Sequence, residues 1–178
     1  MMAAKGRWRR LALAGGACLL ALALPVMAQP SDDDDRPDWH EDPAPPPPAY
    51  SLSHLIEIDM PRDSSVKLGI DPKTITINQK TGIVRYVVVA QGLTAVNASY
   101  EGMRCATGEY KVYARQTKGN PWSVSSAAVW KPMFGQSGIV VAYPARLARG
   151  GMCVGVATPQ TVENIVRDLR SGNQSLYN

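Results

Sequence analysis

The stretch NASYEGMRCATGEYKVYA, residues 97–114, constrains the fold more than any other part of the chain. It reads as two strands around the turn ATG, and side chains in a strand alternate between faces with a period of two. In the second strand Tyr110, Val112 and Ala114 share one face, and Glu109, Lys111, Tyr113 and Arg115 share the other. In the first strand Ala98 and Tyr100 look like core, but so do Met103 and Cys105, which have the opposite parity. One inserted residue reconciles them. The sequence therefore predicts a β-bulge near Glu101-Gly102, with the glycine accepting unusual backbone angles. This register sets Tyr100 opposite Val112, Met103 opposite Tyr110 and Glu101 opposite Lys111, and it points Cys105 inward. Glu101 and Arg104 then lie at the surface as partners for Lys111 and Glu109, in exposed ion pairs worth under about 1 kcal/mol each.

The thiol in that strand raises the question of compartment. Lys5, Arg7, Arg9 and Arg10 precede an apolar run from Leu11 to Leu24, and Val26-Met27-Ala28 follows. A positive start, an apolar middle and small residues before a cut are the layout of a signal peptide, with cleavage expected after Ala28 and no membrane span left behind. Arg9-Arg10 leaves general and twin-arginine export undistinguished. Cys105 and Cys153 are then the mature chain's two cysteines, and in an oxidising compartment an even pair is most simply a disulfide. It closes a loop of roughly 50 residues, worth about 4 kcal/mol in the chain-entropy model. It ties the hairpin to the segment ahead of a C-terminal helix.

Removing the leader also removes the formal charge of +4, so the basic whole-chain balance predicts no nucleic-acid partner. Residues 29–50 hold seven acids against Arg36, whereas residues 51–178 hold fourteen basic and eight acidic side chains, a net of +6. The acidic arm, with PAPPPP near its end, is too poor in apolar residues to offset the entropy of ordering. It reads as a disordered linker that solvates the terminus rather than folding over the basic domain. His40 and His54 are the only histidines and have no ligand spacing, so neither a metal nor another cofactor is expected.

The globular domain is expected over residues 51–171, with a flexible tail at 172–178. SVKLGI and TITIN alternate apolar residues as half-buried strands do, QKTG turns with Gly82 at positive φ, and IVRYVVVA is apolar enough on both faces to be central. AAVW and GIVVAYPA read as two further strands. In TPQTVENIVRDLRSG, Thr158 suits an N-cap, Pro159 the first helical position and Gly172 the end, and Val162, Ile165, Val166 and Leu169 form one apolar stripe. The fold class is α+β, mainly β: an antiparallel sheet of about five to seven strands with one C-terminal helix packed on it and one disulfide.

These residues resemble the cryptic-neisserial-protein-like (CNP-like) family of small secreted proteins of Gram-negative bacteria. The resemblance rests on Arg85 and Tyr86, then on Tyr100, Glu101, Gly102, Arg104, Cys105, Glu109, Tyr110 and Tyr113 in YEGMRCATGEYKVY, and on Trp122, Trp130, Pro132 and Cys153. It implies periplasmic residence and brings no established activity, cofactor or catalytic residue. The residues carry no nucleophile elbow, metal-ligand spacing or phosphate loop, and Glu101 opposite Lys111 favours the ionised form that a general acid must avoid. A glycan hydrolase using Glu101 and Glu109 is therefore set below a non-catalytic binding module of the cell envelope, and below a purely structural or stress-response envelope protein. The candidate binding surface is Tyr100, Glu101, Arg104, Glu109, Tyr113, Arg115, Trp122 and Trp130. An envelope protein, peptidoglycan or an anionic lipid surface is the expected partner class.

Overall fold

The apolar run after Gly82 forms the axis of the sheet. The structure, a computed structural model, describes residues 39–60, 64–135 and 143–175. The leader expected over residues 1–28 lies outside them. Strand β1 covers Ile56–Ile58, β2 Lys67–Ile70, β3 Thr76–Asn78, β4 Ile83–Gln91, β5 Val96–Arg104, β6 Glu109–Thr117, β7 Ser123–Val124 and β8 Lys131–Pro132. Helix α1 covers Tyr143–Leu147 and runs into a π-type turn over Ala148–Met152, and helix α2 covers Val162–Ser175. The strands pair antiparallel in the order β1-β2-β4-β5-β6-β7, with β3 also on β4 and β8 also on β6. These eight strands exceed the expected count because β7 and β8 are two-residue pieces along one edge. The described residues all fall within one compact unit that starts at Asp38.

The register explains the parity conflict differently from the sequence expectation. On one face the cross-strand rows are Leu68-Ala90-Asn97-Thr117, Ile70-Val88-Ser99-Arg115, Tyr86-Glu101-Val112 and Val84-Met103-Tyr110. On the other they are Val89-Ala98-Gln116, Val87-Tyr100-Ala114, Arg85-Gly102-Lys111 and Ile83-Arg104-Glu109. Both faces are covered. Helices α1 and α2 and the π-type turn after α1 bury the first with Leu147, Met152, Ile165 and Leu169, and residues of the 44–55 stretch cover the second. Ala98 and Met103 are thus both core, on opposite faces. A bulge exists, but the extra residue is Tyr113 on β6, between Ala114 opposite Tyr100 and Val112 opposite Glu101. Met103 lies opposite Tyr110 as expected, whereas Tyr100 is not opposite Val112, and Lys111 faces Gly102 instead of Glu101.

Other expectations shift locally. AAVW forms no strand, and of GIVVAYPA the described part, Tyr143-Pro144-Ala145, opens α1. Proline has no N–H to lose in a first helical turn, and the Ala-Arg-Leu that follows favours helix. α2 begins three residues later than expected: Thr161 accepts from the Asn164 N–H at 3.2 Å, while the Thr158 hydroxyl bonds the Gly82 carbonyl at 2.8 Å. Gly172 does not end α2, because it packs on the Gly150 backbone and the helix continues to Ser175. Cys105 and Cys153 form the disulfide, with Cα atoms 5.6 Å apart.

The linker expectation fails for residues 39–50. The Trp39 indole N–H donates to the Thr81 carbonyl at 3.0 Å, and Tyr50 packs edge-on against Trp122 with centroids 5.9 Å apart. The Ser51 N–H donates to Asp71 at 2.8 Å. Residues 39–50 of the arm fold over the basic domain.

Candidate functional site

The site is built around a missing Cβ. In the row Arg85-Gly102-Lys111 the central residue has no side chain, and the ring of Tyr113 lies in the gap. A Cβ on Gly102 would stand 2.5 Å from the Tyr113 hydroxyl oxygen. Gly102 is thus needed for close approach, not for the unusual backbone angles first expected, and it is not among the positive-φ glycines. The two flanking cations and the phenol all face the arm, where they meet Glu41.

Four donor groups surround that carboxylate. Lys111 Nζ lies 2.9 Å from it, Tyr113 Oη 2.6 Å and Trp130 Nε1 3.1 Å, and the Arg85 guanidinium stands 3.7 Å away. Burial raises the affinity of Glu41 for a proton. The hydrogen bonds from Lys111 and Tyr113, the Lys111 charge and the Trp130 bond together outweigh that and hold the group below the usual carboxylate range. Tyr113 shifts the opposite way, through its burial and then its bond to Glu41, and stays neutral. Beside the cage Arg104 stacks 3.5 Å from the Trp39 ring centroid and 5.5 Å from that of Trp130, while pairing with Glu109 at 3.2 Å. A cavity of about 600 Å³ remains between Pro43–Pro47 of the arm and the sheet, bounded by Tyr100, Lys111, Tyr113 and Val124.

The eight predicted surface residues therefore separate. Arg104, Glu109, Tyr113 and Trp130 come together at the cage, and Trp122 lies nearby under Tyr50. Tyr100 is buried core beneath them. Arg115 lies on the opposite face, in the row next to Glu101. Glu101 is the largest departure. It is 1% exposed, its Oε1 accepts from Ser99 at 2.6 Å and from the Tyr143 hydroxyl, and the carboxyl also interacts with the hydroxyl of Tyr86, its cross-strand neighbour on β4. Burial pushes its carboxyl up toward the protonated form, against the bonds from Ser99 and Tyr143 and the charge of Arg115. The expected ion pair with Lys111 does not exist. The expected Glu101–Glu109 pair of a glycan hydrolase does not form either, since the two side chains occupy opposite faces of the sheet.

Glu41, Arg85 and Lys111 were missed as site residues. The available signal was Arg85, one charge in the otherwise apolar IVRYVVVA, which has to find a buried anion. Among the described residues no helix is long and apolar enough to cross a membrane, and no three His, Cys, Asp or Glu side chains are grouped to hold a metal ion.

The cage residues of the sheet all lie inside a segment, residues 34–170, that matches the model of the CNP1-like family. The chain belongs to the CNP1-like family. The matched region starts ahead of Glu41, so the CNP1-like domain includes the arm that fills the groove as well as the sheet that receives it. No curated protein and no solved structure matches the chain.

Proposed function

We propose that this CNP1-like protein is an exported, non-catalytic binding module of the bacterial cell envelope, resident in the periplasm once residues 1–28 are removed, with the arm-covered groove as its working surface. One observation carries the proposal. Four donor groups, three on the antiparallel sheet and Trp130 on the loop before β8, converge on a single carboxylate, followed by the extended segment Pro43–Pro47. Convergent charged donors and flanking indoles are the chemistry by which a surface recognises a carboxylate-led, extended chain. The chain's own arm is such a ligand in cis, and an acidic segment of another envelope protein is the corresponding ligand in trans. Peptidoglycan peptides also carry carboxylates; a flat anionic lipid surface fits the recessed cage less well.

The test is a crosslinking pull-down from a bacterial envelope with three forms of the full chain. Glu41→Ala removes the competing carboxylate and should capture more partner than the unmodified chain, because an internal ligand lowers apparent affinity in proportion to its occupancy. Adding Lys111→Ala to Glu41→Ala should abolish the gain. Equal capture by all three forms would reject the groove and favour the structural or stress-response reading.

A further inference from the structure

A second surface lies on the other side of the sheet and does not depend on the arm. Along the rows Leu68-Ala90-Asn97-Thr117 and Ile70-Val88-Ser99-Arg115 the side chains change from apolar on β2 and β4 to polar on β5 and β6. They bound an open cleft of about 520 Å³, within the range of small-molecule sites. Leu68, Val88 and Ala90 line one side, and Arg115, Thr117 and Asn120 the other. Arg115 is exposed and forms no ion pair with any described residue. Glu101, in the next row, also borders the cleft as a buried carboxyl. An apolar residue at that position would complete the core without the cost of burying a carboxyl.

We propose that this cleft binds a free, monomeric amphipathic carboxylate, its anionic head on Arg115 and its apolar body along Leu68, Val88 and Ala90. The occupant follows from complementarity. Arg115, the one cation among the described residues that line the cleft, selects an anion, and the apolar end asks for hydrocarbon. Glu101 gives the site a proton linkage. Its carboxylate and that of the ligand compete for the field of Arg115, so protonation of Glu101 frees the arginine, and the bound anion in turn favours the protonated form. The groups facing Glu101 are Ser99 on its own strand, Tyr86 from β4, Tyr110 and Arg115 from β6, and Tyr143 from α1. Burial raises all three tyrosines, so they stay neutral near neutral pH and leave Glu101 as the acidic group in this cluster that a bound anion can push toward its protonated form.

The experiment is calorimetric titration of the full chain with decanoate below its micellar concentration, at about pH 6 and about pH 8, where the ligand stays ionised. Decanoate should bind more tightly at the lower pH and take up protons on binding, read by repeating the titration in two buffers of different ionisation enthalpy. Decylammonium should not bind. Arg115→Gln should weaken decanoate by about tenfold or more. Glu101→Gln should remove the pH dependence, and proton uptake by the unmodified protein tests the same linkage if that variant fails to fold. No decanoate binding, equal binding of decylammonium, an unaffected Arg115→Gln variant, or binding without proton uptake would each overturn the proposal. Because the cleft and the cage lie on opposite faces, this result is independent of the pull-down.

Discussion

Replacing Glu41 by Gln tests whether the carboxylate cage holds the arm. The amide keeps the size of the side chain and removes its charge. The Glu41 side chain is 15% exposed, Lys111 17% and Arg85 5%, so the pair sits between surface and interior values. A fully buried pair costs about 3–5 kcal/mol when one partner is removed, and an exposed one under about 1 kcal/mol. Counting the three hydrogen bonds to a charged acceptor, we expect a loss near the lower bound for burial, about 3 kcal/mol. A tenfold change in an equilibrium corresponds to about 1.4 kcal/mol, so the open form of the arm should rise roughly 100-fold. The indole N–H of Trp39, two residues before Glu41, bonds the Thr81 carbonyl and reports whether the arm is seated. Its exchange with solvent, followed by NMR, should quicken roughly 100-fold while the backbone amides of β4 keep their rates. The pH dependence has a defined sign. The Glu41 carboxyl is lowered in the folded state, so its stabilisation is present above the unfolded value and lost as pH falls through the folded value. The arm of the unmodified chain should therefore loosen only in acid below the ordinary carboxylate range, and the Gln variant should lack that transition. An increase in Trp39 exchange of under about threefold, less than about 0.7 kcal/mol, would refute the cage as the arm's anchor.

Glu101 predicts the opposite pH response: its carboxyl is raised in the folded state, so its favourable contribution is complete below the unfolded value and disappears as pH rises through the folded one. Glu101→Gln should consequently raise the melting temperature by an amount that grows with pH from acid to neutral, and a constant shift would contradict this. Gly102→Ala forces a Cβ onto the Tyr113 hydroxyl and should cost about 1–3 kcal/mol in denaturant unfolding, with Tyr113→Ala recovering part of it in a double-mutant cycle. Cys105→Ser with Cys153→Ser should lower unfolding free energy by about 4 kcal/mol for the residue separation of 48, and a loss under about 1 kcal/mol would show that the crosslink constrains little.

Much of the sheet was legible because its signals are local. Gly82 at φ 68° ends the QKTG turn as expected, β4 is central and buried, and Ile165 and Leu169 of the apolar stripe reach the core. The cysteine pairing was read from the even number of cysteines left after the expected leader. What could not be read depends on parts distant in the chain. The parity of β5 looked broken because only one face was assumed to be covered; with cores on both faces, Ala98 and Met103 keep ordinary alternation. Residues 39–50 looked unable to fold because their own composition is poor in apolar groups. Their seat comes from donors on β4, β6 and the loop before β8, and composition holds no record of those. The placement of Glu101 inherited the error in the bulge: moving the extra residue from β5 to Tyr113 on β6 exchanged Lys111 for Val112 as its neighbour.

Glu41 and Trp130 are 89 residues apart, and the indole is needed to close the cage around the carboxylate. A chain that emerges N-terminus first presents the acidic segment long before its receptor exists, so contacts this distant form late. The cage therefore cannot close around Glu41 until the loop that carries Trp130 has been made and placed, which makes the seating of the arm a long-range step of folding that an outside acidic chain can contest.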